Sequence, residues 1–119
     1  MLKEWTNQGK KVYLVLTMPT DTNFSPTAMI KRNFFSAPTF QATSVKTEDW
    51  LKNSHFATTA LTEAATHANA IIIDPTLALC NVQNCQVLTS MGEPLYKDSC
   101  HLHPKYVENH VQYLDKVLF

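Results

Sequence analysis

Near the C-terminal end, Tyr96-Lys-Asp-Ser-Cys-His-Leu-His-Pro104 gathers an acid, a thiol and two imidazoles. Asp98 and His101 stand three residues apart, a spacing that lets both side chains point the same way from a tight turn. The carboxylate then accepts the imidazole Nδ1–H and sets its tautomer. Nε2 is left facing outward as a general base for a serine hydroxyl. The same residues also fit a solvated loop in which His103 caps the helix that Pro104 opens. Cys100 is a conceivable nucleophile with His101 or His103 as its base. Adjacent residues of an extended turn point in different directions, however, so that geometry is poor.

Cys80 and Cys85 enclose the polar run Asn81-Val-Gln-Asn84. Four intervening residues allow a disulfide-closed loop, which implies an oxidising compartment. Two unrelated buried thiols are the other reading, and the polar loop argues against deep burial. A metal reading draws on Cys100, His101, His103 and His110, because His-x-His is a common ligand spacing. The paired CxxC or HxxxH motifs of a structural zinc site are absent, and Cys80 and Cys85 are too far apart for the commonest zinc knuckle. No metal is expected. Only two glycines occur, Gly9 and Gly92, so there is no glycine-rich phosphate loop and no cofactor is expected.

These groups need elements to position them. Leu2–Gln8 reads as the tail of a helix with Gly9 as its C-terminal cap. Lys11–Thr17 is a β-branched, aromatic and aliphatic run, apolar on both faces, as in a strand covered on two sides. Residues 19–46 are rich in Thr, Ser, Pro and Asn and read as a long irregular stretch that shapes a site. Phe34, Phe35 and Phe40 are expected to anchor that stretch to the core. Thr47 reads as an N-cap, with Glu48 and Asp49 in the first turn against the positive end of the dipole. The helix should run to about His67, burying Phe56, Ala57, Ala60, Leu61, Ala64, Ala65 and Ala68. His55 and His67 fall at its surface or end. Ala70–Asp74 is a second buried strand. A last helix should open at Pro104 with Val107, Val111, Leu114 and Leu118 as its seam. Strand, helix, strand, helix with apolar strands is an α/β chain with a parallel sheet.

Length and composition bound the rest. The 119 residues suit one domain, and 45% apolar with 17% charged residues is a globular balance. Ten Lys and Arg are matched by ten Asp and Glu, so the basic excess of a nucleic-acid binder is missing. The longest apolar runs, Val12–Leu16 and Ala68–Ile73 (broken by Asn69), are far too short to span a bilayer. The N-terminus lacks the apolar stretch of a secretion signal. Export would require something upstream of residue 1.

The order of these features resembles a known family. The strand between Gly9 and Pro19 is followed by a helix, by Asp74-Pro75, and by Leu79-Cys80 with Cys85 five positions on. A turn through Gly92-Glu-Pro-Leu-Tyr96 then leads to Asp98-x-x-His101-Leu102. From Lys11 onward this is similar to the C-terminal part of an SGNH-type hydrolase domain. The version it most resembles is fused behind the membrane acyltransferase family 3 region of bacterial surface-glycan O-acyltransferases.

The resemblance implies a flavodoxin-like, three-layer α/β/α domain, with residues 1–119 as its C-terminal portion and the N-terminal strands missing. It implies a periplasmic domain of an inner-membrane protein that moves acyl groups, usually acetyl, onto lipopolysaccharide or a related surface glycan. The partners implied are an acyl donor delivered by an upstream membrane domain and a glycan acceptor. Asp98 and His101 match the Asp and His of the last motif block, where Asp orients the imidazolium and His deprotonates the serine. Cys80 and Cys85 match the family's disulfide pair. Where the family commonly has serine after His-Leu, this chain has His103. The family's Gly-Asp-Ser nucleophile block and its oxyanion-hole glycine and asparagine have no counterpart. Ser25, Ser36, Ser44, Ser54, Ser90 and Ser99 all lack that context. The expectation is therefore a chain that is inactive alone, with the serine supplied upstream and a sheet edge open to self-association. A carbohydrate esterase of the same superfamily and a non-catalytic glycan-binding domain are the competing readings.

Overall fold

The computed structural model describes residues 1–118. Its first helix, α1 (Leu2–Asn7), ends in two backbone bonds: Gly9 N–H to Thr6 O (3.0 Å) and Lys10 N–H to Trp5 O (3.1 Å). Gly9 takes φ +78°, the left-handed conformation this ending requires. The strand β1 (Tyr13–Val15) follows, shorter than the apolar run. Two 3-10 turns (Thr22–Phe24 and Pro26–Met29) then lead to β2 (Ile30–Asn33) and β3 (Ser36–Phe40), an antiparallel hairpin. The stretch expected to be irregular thus contains a hairpin, because Ile30, Thr39 and Phe40 suit cross-strand pairing. Phe34, Phe35 and Phe40 are not core anchors: they are 100%, 99% and 55% exposed.

A two-residue strand, β4 (Val45–Lys46), runs directly into α2 (Thr47–His67). Thr47 is not the N-cap; Lys46 holds that position and makes no side-chain cap bond. Thr47 lies inside the first turn, where its hydroxyl donates to Asn81 O at 2.7 Å. The buried face of α2 also differs from the alanine stripe. Thr47, Trp50, Ser54 and Ala65 are buried, whereas Phe56, Ala57, Ala60 and Ala64 are exposed. At about 100° per residue the buried face is turned by roughly 60° from the expected one. Two polar anchors, the Thr47 bond and a Trp50 Nε1–H bond to Thr76 Oγ1 (2.9 Å), select the face that turns inward.

Ala68 closes α2, and Asn69 (φ 53°) occupies the left-handed position that Asn tolerates. The chain returns as β5 (Ile71–Ile73), parallel to β1, with Tyr13 opposite Ile71 and Val15 opposite Ile73. This β1–α2–β5 crossover makes the chain an α/β protein with a parallel sheet pair. Cover is less complete than the apolar strands suggest: Ile73 is buried, but Val15 and Ile71 are 45% and 40% exposed.

Asp74 then caps α3 (Pro75–Leu79), its side chain accepting from Thr76 N–H at 2.9 Å. Asp-Pro is a good N-cap and first position, so a local signal for this helix is present at Asp74-Pro75. The short β6 (Asn84–Cys85) pairs antiparallel with β4. The last helix is broken into α4 (Pro104–His110) and α5 (Asp115–Leu118). The four-residue seam does not form a continuous core face: Val107 and Leu118 are exposed, and no residue of α4 or α5 is buried. Without apolar packing, so short a helix gains little from extension.

The main core lies under the loops. It consists of Phe24, Val45, Trp50, Leu79, Cys85, Leu95 and Tyr96. Most of these residues flank turns, so the core ties the segment after β1 to α2 and to the Leu95–Tyr96 strand-like stretch.

Candidate active site

The Asp98–His101 turn is built on a tight backbone loop. Tyr96 and Leu102 face each other as an antiparallel bridge. Lys97 N–H donates to His101 O (2.9 Å) and His103 N–H to Leu95 O (2.8 Å). Beneath the loop, Tyr96 is fully buried and its ring stacks on Phe24 with centroids 4.0 Å apart. Its hydroxyl donates to Pro19 O at 3.0 Å, and Asp21 N–H donates to Ser99 O at 3.0 Å. Both partners belong to the segment that leaves the carboxyl end of β1. In an open parallel sheet, that end is where ligands are held.

Within the turn, Asp98 Oδ1 accepts from Cys100 N–H (2.9 Å) and His101 N–H (2.7 Å). This local ring brings the imidazole onto the carboxylate, with Nδ1 2.9 Å from Oδ2 and 3.1 Å from Oδ1. The Cys100 N–H bond leads in holding the Asp98 carboxyl well below the usual carboxylate range, and both bonds from His101 add to it; partial desolvation opposes them. His101 Nε2 makes no hydrogen bond among the described residues. The two side chains are 64% and 44% exposed, His101 first. Burial pushes the Tyr96 hydroxyl far above its ordinary value of 10.0, so it serves as a neutral donor.

Cys100 comes closer to the imidazole than neighbours in an extended turn would, with Sγ 3.3 Å from His101 Nδ1. That nitrogen is the one engaged by Asp98. For it to take the thiol proton it would have to give up its own N–H and the carboxylate bond. The remaining members of the suggested metal set do not converge with these groups. His103 is the N-cap of α4, its Nδ1 accepting from Lys105 N–H at 3.3 Å. His110 stacks on Tyr106 at 5.1 Å. His103 and His110 line a neighbouring cleft of about 740 Å³ with Tyr106, and neither Asp98 nor His101 borders it.

Cys80 and Cys85 form a disulfide, and Cys100 is free. Asn81 organises the loop between them, its side-chain oxygen accepting from Gln83 N–H and Asn84 N–H, both at 2.8 Å. The loop is exposed as its polar residues require, yet Cys85 itself is buried in the main core. Polar neighbours thus misled about the burial of the sulfur. Three supports were not apparent from the sequence: the Tyr96–Pro19 bond, the Asp21–Ser99 bond and the Trp50–Thr76 bond. Only Tyr96 carried a signal, as a large aromatic two residues before the acid.

The match of this chain to a known family, over residues 1–110, defines a hydrolase- or acyltransferase-like domain. The chain belongs to the SGNH domain family described as fused to AT3 domains, which matches it over residues 1–110. Comparison with curated proteins and with solved structures gives no match. Among the described residues, no helix is long and apolar enough to cross a membrane.

Proposed function

We propose that the Asp98–His101 pair is the base-and-orienter half of a serine acyl-transfer site. The observation that carries this reading is the 2.9 Å contact between His101 Nδ1 and Asp98 Oδ2, with Nε2 left open. In that arrangement Nε2 accepts the proton of a serine Oγ as the oxygen attacks the acyl carbonyl. The imidazolium, held by Asp98, returns the proton to the leaving group, and the acyl group stays on Oγ. An acceptor hydroxyl then repeats the cycle, losing its proton to Nε2 and taking the acyl group.

The serine would come from polypeptide upstream of this chain, as would the oxyanion-binding groups. The reaction class is O-acyl transfer, most simply of acetyl, to lipopolysaccharide or another cell-surface glycan. The parent would be an inner-membrane protein whose membrane domain delivers the acyl donor to this periplasmic domain. The chain alone would be inactive, acting as part of a larger domain. The same pair would serve a second reading, a carbohydrate esterase in which water replaces the sugar hydroxyl.

The test is hydrolysis of a chromogenic acetyl ester by a protein extended upstream, by its His101→Ala variant and by the 119-residue chain. We expect activity in the extended protein alone, with His101→Ala lowering turnover by about 10⁴-fold or more. Equal, negligible rates in all three would instead support a glycan-binding domain. Transfer to an added sugar in preference to water separates the transferase from the esterase.

A further inference from the structure

The β2–β3 hairpin is unused by the acyl-transfer site, and its composition conflicts with its position. Every residue from Ile30 to Ala42 is exposed, and the tip, Phe34-Phe35, is 100% and 99% exposed. The two rings sit 6.0 Å apart and tilted by 55°, each without cover from the rest of the chain. A two-residue hairpin loop ordinarily carries Asn-Gly or Gly-X, which supply positive φ. Here neither Phe has positive φ; Asn69 is the only such non-glycine among the described residues. The tip therefore lacks the preferred turn residues and carries two phenyl rings that no other part of this chain covers.

The base of the hairpin is secured. Met29 is fully buried, and Gln41 N–H donates to Met29 O at 2.8 Å, extending the ladder toward the core. Charge is sorted along the same segment. Lys31 and Arg32 adjoin the aromatic tip, Lys46 lies at its far end, and no acid occurs between Asp21 and Glu48. Because the whole chain is neutral, this sorting is a local property and not a consequence of a basic protein.

We propose that the hairpin is a membrane-surface anchor: Phe34 and Phe35 enter the acyl-chain boundary of an anionic bilayer while Lys31 and Arg32 hold its headgroup phosphates. An apolar tip beside two cations combines apolar burial with attraction to anionic lipid, the two contributions on which interfacial binding depends. The contact requires nothing of Asp98 or His101 and stands apart from the acyl-transfer reading.

The test is flotation of the 119-residue chain with phosphatidylglycerol–phosphatidylcholine vesicles and with pure phosphatidylcholine vesicles, at low and high salt. Binding is expected on the anionic vesicles and weakens as salt rises. The double variant Phe34→Ser with Phe35→Ser should bind those vesicles at least about tenfold more weakly with an unchanged thermal melt. Lys31→Ser with Arg32→Ser should lose the preference for anionic lipid. A wild-type chain that does not float, or a Phe double variant that floats equally, overturns the proposal. So does a tip that proves to hold chains together, with self-association lost in the Phe variant and no vesicle binding by the wild type. Should the double variant unfold, Phe35→Trp provides the reading: its added emission must shift to the blue with anionic vesicles, and an unshifted spectrum overturns the anchor.

Discussion

Asp98 does two jobs with one carboxylate, and its two oxygens divide them. Oδ1 closes the turn through two backbone N–H groups, and Oδ2 takes the shorter contact with the imidazole. Asp98→Asn keeps one acceptor for the turn and loses the negative charge beside the imidazole, which the proposed mechanism uses to hold the imidazolium. In the extended protein we expect ester turnover to fall by about 10⁴-fold with the secondary structure intact, measured by steady-state kinetics and circular dichroism. The lowered Asp98 pKa also makes a statement about pH. A carboxyl more acidic in the folded chain than its ordinary 3.8 contributes stability that is present above that value and lost as pH falls through the folded one. Wild type should therefore lose stability relative to Asp98→Asn on acidification from about pH 5 toward pH 2, read from urea midpoints. Tyr96 is the residue beneath the site. Tyr96→Phe keeps the stack on Phe24 and strands the buried Pro19 carbonyl, so it should cost about 1–2 kcal/mol in urea unfolding.

At the scale of elements, short pieces are held by covalent and polar ties because the strands are short. β4 and β6 are two residues each, and the Cys80–Cys85 bridge closes the turn that leads into β6 beside β4. Chain-entropy arguments give so small a loop about 2 kcal/mol of stabilisation. Reduction, or Cys80→Ser with Cys85→Ser, should lower the melting midpoint by several degrees in calorimetry. Mass spectrometry after alkylation should tag only Cys100 without reductant and all three thiols with it. Elsewhere local pattern leaves the packing undecided. The alanines of α2 fit an apolar stripe equally well at several rotations. Trp50 and Thr47 chose among them through partners 26 and 34 residues away in the sequence. The final helix looked continuous because its spacing was apolar, but a seam without a facing surface has no packing to sustain it.

The whole molecule is drawn out, with a radius of gyration of 17.4 Å and a longest extent of 65 Å. A compact chain of this length would have a radius near 13–14 Å. Its parallel sheet has two strands, β1 and β5, each with an outer edge unpaired among the described residues. Parallel strands are normally buried on both faces and flanked by neighbours, so such edges are templates for pairing. Concentration-dependent self-association is expected in sedimentation velocity. Val15→Lys, placing a charge on the half-exposed end of β1, should shift the distribution toward monomer. Unchanged sedimentation in that variant would overturn pairing through the β1 edge.

What the sequence by itself determined was local and periodic. The α/β order, the Gly9 cap, the extent of α2 to His67 and the His103–Pro104 helix start all rest on interactions within a few residues, which residue type encodes directly. The short Asp98-x-x-His101 turn is of the same kind, since its bonds run between neighbours. Tertiary structure alone decided which face of α2 turned inward, that Cys85 joined the core despite its polar neighbours, and that Tyr96 pinned the site loop to Pro19. It also placed the aromatic tip in solvent, where apolar residue type had pointed to the core. Burial depends on what the remainder of the chain has left to cover a side chain, and that sum is made only when distant segments meet.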